Sequence, residues 1–277
     1  MRLVSLGLLT CTAVLMAGCA SPTDAVLSSA EDLRGPESVA PAASPQSTQP
    51  TPTTSPSAAA SASPTTSGTP RPSTDPARTP RGPAVALNHV DTTEKVVFLT
   101  IDDGAVADPK LLAYLEEQNI PVTMFLTTNV ASSNWTYWRD MEGVGSVQNH
   151  TMNHPYLNKT SQAGAAKEIC GANALLAQET GQTPWMLRPP YGEYNSTTRA
   201  AAGECGIDYV VHWSVSLPSD KLIYQVGSSL RPGDIILTHF RWDLMDYLPT
   251  VMADIHAQGY RVARLEDYLP PTAPATS

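Results

Sequence analysis

Three things are scarce in this chain of 277 residues: positive charge, long apolar runs, and large side chains in its first third. Lys and Arg total 17 against 26 Asp and Glu, a formal net charge of −9. That deficit argues against nucleic acid as a partner, whereas a neutral sugar polymer is compatible with it. The apolar stretch from Leu3 to Ala17 falls short of the roughly 20 residues that a membrane span needs. From Ala20 to about Pro83, Pro, Ser, Thr and Ala dominate, with almost no large apolar residue after Val39. Such a segment cannot bury enough surface to offset chain entropy, so an extended, disordered linker is expected there. No internal repeat is visible.

What is present divides the chain into four parts. Residues 1–18 read as a secretory signal, with basic Arg2, an apolar stretch and small residues after it. Leu15-Met16-Ala17-Gly18-Cys19 resembles the lipobox of bacterial lipoproteins, which makes Cys19 the expected lipidation site. The expected location is then extracytoplasmic, anchored to the membrane through the lipid; without lipidation the product is secreted. Residues 19–87 form the linker, about 70 residues averaging roughly 50 Å end to end as a coil. Residues 88–270 are long enough for one domain with its own core, and 271–277 form a tail. A monomer is expected.

Of four cysteines, Cys170 and Cys205 fall inside the domain. In an oxidising compartment they either pair or stay as two buried thiols, and their spacing does not decide between these.

Apolar runs alternate with helical patterns. Strands are expected over 95–101, 122–126, 144–148, 185–187, 209–215, 234–238 and 260–263. Helices are expected from Asp108-Pro109 to before Pro121, over 135–141, over 161–180 with Gly181 as its stop, from Asn195 to about Ala202 with Gly203 and Gly206 breaking it, over 227–230 and over 244–258. This α/β alternation predicts a mostly parallel sheet or barrel wrapped by helices, with its active residues at the carboxyl ends of strands.

Polar groups collect at those ends. Val96 to Ile101 runs into Asp102-Asp103-Gly104; adjacent carboxylates after a buried strand are costly unless a cation joins them. Next come His150-Thr151-Met152-Asn153-His154, then Arg188-Pro189-Pro190-Tyr191-Gly192, then Leu237-Thr238-His239. Two histidines four apart can face one metal from a single helical turn. Imidazoles plus one carboxylate leave open positions for water and substrate. Each signal alone has an ordinary structural explanation: a surface histidine pair, a turn aspartate, a core histidine. Together, in this order, they point to a metal-dependent hydrolase.

The set Thr-x-Asp-Asp-Gly, His-Thr-x-x-His, Arg-Pro-Pro-Tyr-Gly and Leu-x-His resembles the NodB-homology polysaccharide deacetylases, from about Lys95 to Tyr268. The resemblance implies a distorted (β/α) barrel and metal-dependent removal of acetyl groups from an acetylated polysaccharide. N-acetylglucosamine polymers such as peptidoglycan or chitin are the implied substrates, with O-acetylated xylan as a variant. It implies Asp103, His150 and His154 as ligands of a divalent metal, zinc or cobalt, and Asp102 as general base. His239 would be general acid, Arg188 the partner of Asp102, the Tyr191 backbone N–H an oxyanion donor, and Leu237 a wall of the acetyl pocket. Two departures stand out. Ala105 replaces the usual Pro, and an expected Asp-x-x-Asp-Trp reads Ser216, Ser219 and Asp220 at its defining positions. Loss of the first Asp would weaken support for a cationic His239. Loss of the Trp leaves Trp242 or Tyr191 to offer a sugar-stacking face, and simple packing is the other reading of Trp242. Loss of the motif also leaves room for a degenerate domain that binds glycan without turnover.

Overall fold

The computed structural model describes residues 81–271. The signal segment, Cys19 and the linker as far as residue 80 lie outside the described residues, as does the tail from 272.

Ten strands, β1 (Val85–Leu87), β2 (Val96–Asp103), β3 (Val122–Leu126), β4 (Gly145–Asn149), β5 (Met186–Leu187), β6 (Tyr209–Val211), β7 (Val215–Ser216), β8 (Ile223–Tyr224), β9 (Asp234–His239) and β10 (Arg261–Val262), form one sheet. Its order is β1-β6-β5-β4-β3-β2-β9-β7-β8, with β10 beside the start of β2. Every pairing between strands is parallel except β7 with β8. The helices are α1 (Pro109–Gln118), α2 (Thr128–Ala131), α3 (Trp135–Asp140), α4 (Gln162–Thr180), α5 (Ser196–Glu204), α6 (Leu244–Ala257) and α7 (Leu265–Tyr268). β1 lies ahead of the domain start expected at residue 88 and pairs with β6.

β2 explains why its sequence is an unbroken apolar run. Strand side chains alternate between faces, and here both faces are buried. Val97, Leu99 and Ile101 pack in one cluster with Leu111 and Leu115 of α1 and with Leu248, Val251 and Ile255 of α6. Val96 and Phe98 join Phe125, Met186, Val211 and Ile235 in another, inside the curl of the sheet. Thr100 and Asp102 continue that inner face, so the barrel interior turns polar toward the carboxyl ends of the strands.

Helix signals fall where the capping residues predict. Asp108 accepts from the Lys110 N–H at 2.9 Å before Pro109, and Ser161 accepts from the Gly164 N–H at 3.1 Å. Gly181 ends α4 at φ 72°, a conformation that glycine adopts freely.

Three expectations change. The single strand over 209–215 is two, because the chain leaves β6, which pairs with β1 and β5, and rejoins the sheet as β7 beside β9. Three residues make that step, the His212 N–H donating to Leu87 O and the Ser214 N–H to Ile235 O. Since β6 and β7 sit near opposite ends of the strand order, so short a step requires the sheet to curl almost shut. Gly203 lies inside α5 rather than ending it; a Cβ there would stand 2.0 Å from Gly82 O, so the glycine serves close packing of the entering chain. Residues 227–229 are bends and Leu230 is irregular, so no helix forms there, and the Leu230 N–H is held by the Gln258 side chain.

Cys170 of α4 and Cys205 at the end of α5 are joined in a disulfide. Among the described residues no helix is long and apolar enough to cross a membrane.

Candidate active site and metal centre

β2 and β9 set the first part of the site. Asp102 and His239 are register partners on these parallel strands, so their side chains leave the same face of the sheet toward the mouth of the barrel. Asp103 departs from strand geometry at φ 76°; its Oδ1 lies 3.4 Å from His150 Nε2, and Asp102 Oδ2 lies 3.8 Å from the same nitrogen. The aspartates are neighbours in sequence with different surroundings.

Asp102 is 2% exposed and meets the wholly buried Arg188. Arg188 Nη1 donates to Asp102 Oδ1 at 2.8 Å and to Thr100 Oγ1 at 2.7 Å. Its Nε and Nη2 donate to the carbonyls of Val211 (3.2 Å) and His212 (3.1 Å), and the guanidinium lies 4.3 Å from the centre of the Phe125 ring. Burial pulls the Arg188 pKa down, and Asp102 opposes that. A buried guanidinium is tolerable only when its donors are used, and four of the five N–H groups are.

Asp103, His150 and His154 converge from two segments. Their ligand atoms lie within 4.8 Å of one another. His150 Nε2 is 3.4 Å and His154 Nε2 3.5 Å from Asp103 Oδ1, and the two ring nitrogens are 3.2 Å apart. His150 Nδ1 sits 2.6 Å from Arg188 O, an oxygen that can only accept. In the neutral imidazole that contact assigns the proton to Nδ1 and frees the Nε2 lone pair for a cation, whereas the protonated ring donates from Nε2 to Asp103. Two imidazole nitrogens and a carboxylate oxygen facing one point therefore fit a divalent cation. Burial works to raise the Asp103 pKa, but a hydrogen bond to His150 and the charges of His150, His239 and His154 together hold it below the usual carboxylate value. Burial and the nearby His150 lower the His154 pKa, which favours the neutral, ligating form.

The histidine pair is not helical, as its spacing suggests. It lies on a loop after β4 in which Thr151 (φ 70°) and His154 (φ 58°) are left-handed. With Asp103 and Tyr191 (φ 62°), they account for four of the five non-glycine residues of positive φ among those described; the fifth, Asn119, caps α1. Backbone strain of this kind gathers where a site requires it.

Tyr191 is 53% exposed. Its ring meets His154 edge-on at 4.5 Å and stacks on Tyr156 at 3.9 Å. Its backbone N–H has no acceptor among the described residues. Leu237 is buried on β9, two residues before His239. The His239 ring makes no hydrogen bond to a described residue. Ser216, level with Leu237 across the β7–β9 ladder, does not reach it, while Ser219 and Asp220 are exposed on the following loop. Trp242 is 83% exposed, which excludes simple packing. Its neighbour Arg241 donates to Pro218 O at 2.8 Å and so ties this turn to the loop that lost the Asp-x-x-Asp-Trp pattern.

Sequence reading gave no role to Thr100 or Asn153, though both stand in its motifs, and passed over Tyr156 and the residues that hold the histidine loop: Asn149, Asn173 and Glu168. None carries a pattern of its own, because the partners are brought together only by the fold.

A family model described as polysaccharide deacetylase matches residues 89–210. An uncharacterized protein of Streptomyces coelicolor is 38% identical over 205 residues, which cover 72% of this chain and 82% of that one. A chitooligosaccharide deacetylase of Bradyrhizobium sp. is 31% identical over 167 residues, covering 56% and 76% respectively. Among solved structures, the Bc1960 peptidoglycan N-acetylglucosamine deacetylase superposes with a TM-score of 0.60 at 26% identity, over 67% of this chain and 92% of its own. With the curled sheet and the clustered motif residues, these likenesses identify the chain as a member of the polysaccharide deacetylase family, an enzyme built on that family's distorted (β/α) barrel.

Proposed function

We propose that the enzyme removes acetyl groups from N-acetylglucosamine units of a cell-wall or related extracellular polysaccharide, with zinc as its metal. The observation that carries this reading is the pairing of two unlike aspartates: Asp102 fixed by buried Arg188, and Asp103 facing two imidazoles. A cation held by Asp103, His150 and His154 would polarise the acetyl carbonyl and activate water. Asp102, held in place by Arg188, accepts the proton as water attacks. The Tyr191 N–H donates to the oxyanion that develops on the carbonyl oxygen. His239, beside the base on the neighbouring strand, delivers a proton to the departing amine nitrogen. Leu237 lines the site for the acetyl methyl, and Trp242 offers an open face for a neighbouring sugar.

The test is acetate release from chitooligosaccharides, peptidoglycan and acetylxylan with controlled zinc. Release from the first two supports N-deacetylation. Release from acetylxylan alone replaces it with an ester activity. The serines at 216 and 219 favour a second reading, glycan binding without turnover; zinc binding with no acetate from any substrate defeats the deacetylase reading, and direct binding of the same oligomers then establishes the second.

The signal and lipobox residues, together with the Cys170–Cys205 disulfide, support action outside the cytoplasm from a lipid anchor at Cys19.

A further inference from the structure

The loop that carries His150 and His154 has no helix or strand to shape it, and two of its residues hold left-handed backbone. Something outside the loop must fix it. One turn of α4 does so. Glu168 Oε2 accepts from the backbone N–H of Met152 (3.1 Å) and of Asn153 (2.9 Å), the second and third residues between the histidines. Its other oxygen accepts from Asn153 Nδ2 at 2.7 Å. The Oδ1 of the same Asn153 amide accepts from Asn129 Nδ2, so the side chain is held from both sides. Met152 lies against Gly171, where a Cβ would stand 2.3 Å from Met152 Sδ.

Bonds from a carboxylate to backbone N–H groups are charge-assisted and directional. Two consecutive N–H groups on one oxygen fix both the position and the tilt of the peptide planes between the histidines. We propose that Glu168 is a positioning residue: it holds the 151–153 backbone so that His150 and His154 converge on one point before any cation arrives. Glu168 touches neither histidine ring, so its effect passes through the loop. This deepens the proposed function, since it rests on reading Asp103, His150 and His154 as a metal centre.

The test uses the full chain stripped of metal, with Glu168→Ala and Glu168→Gln. Zinc affinity is read by competition with a chelator, and loop order by amide hydrogen exchange of the metal-free protein. Glu168→Ala is expected to weaken zinc binding 10- to 100-fold, the range seen when outer-shell partners are removed. Exchange is expected to quicken at Met152 and Asn153 but not in β2 or β9. Glu168→Gln should recover part of the affinity, because its carbonyl oxygen can still accept from both backbone N–H groups while its Nε2 meets the Asn153 Nδ2 donor to donor. At saturating zinc, KM for an acetylated oligomer should be unchanged. Unaltered affinity and exchange in Glu168→Ala overturn the proposal, as does faster exchange spread evenly over the sheet. A wild-type protein that binds zinc but releases no acetate sinks the deacetylation reading and leaves these readouts intact. A wild type that binds no zinc defeats the metal-centre reading, and the exchange measurement still tests the loop.

Discussion

Arg188 reaches Asp102 at 2.8 Å from a position sealed from solvent, and among the described residues no other carboxylate meets its guanidinium. The pair serves two ends: it keeps Asp102 aimed, and it neutralises a charge inside the barrel. Removing one member of a buried pair leaves the other uncompensated.

Asp102→Asn is therefore expected to lower stability by about 3–5 kcal/mol as well as acetate release by about 10²–10⁴-fold. The double variant Asp102→Asn with Arg188→Met should regain part of the stability and none of the activity. Urea midpoints and acetate assays on the wild type, the two single variants and the double variant check this; additive losses in stability would show that the two side chains are not coupled.

Ser216→Asp restores a carboxylate on the face of the sheet that carries Leu237 and His239. A nearby anion favours the imidazolium over the neutral ring. The protonated acid then persists to higher pH, and the alkaline limb of the kcat profile should move up. A profile that stays in place would remove His239 from the role of general acid.

The Cys170–Cys205 bridge closes a loop with a sequence separation of 35 residues. Replacing both cysteines by alanine should cost about 3–5 kcal/mol, since the unfolded chain regains that loop's freedom. Thermal midpoints under matched conditions measure it, and an unchanged midpoint would contradict it.

The stability of the metal-free protein should fall in mild acid. Burial lowers the pKa of His212 below its ordinary 6.5, partly offset by its contact with Gly192 O. Burial lowers that of His154 as well. The unfolded chain therefore takes up protons first, so stability is complete above about pH 6.5 and drains as pH falls toward the folded values. Urea midpoints across this range should decline, and His212→Asn should flatten the decline. A midpoint that rises on acidification would reverse the assigned sign.

Cys19→Ser should release the protein from the membrane fraction in soluble form. Fractionation of producing cells reads the outcome directly, and persistent attachment would end the lipid-anchor proposal.

The sequence was most readable where one residue type has one local use. Asp108, Ser161 and Gly181 marked helix ends, and the carboxyl ends of β2, β4 and β9 carried the polar residues of the site. It was least readable where meaning comes from distant packing. His150 and His154 have helical spacing, but their loop is shaped by Glu168 and Asn149, whose partners no local pattern announces. Gly203 looked like a helix stop because its true neighbour, Gly82, lies more than a hundred residues away in the chain. The β-branched run through Val215 gave no sign that its two halves pair with different strands.

The left-handed backbone at Asp103, Thr151, His154 and Tyr191 sets the terms on which this enzyme can be engineered. Selection for heat resistance alone would favour glycine at such positions, each relieving strain of about 1–3 kcal/mol. Glycine there would also delete ligands or slacken the loop that presents them. Hardening this protein for use must therefore come from the outer helices and the chain ends, while the mouth of the barrel is left strained.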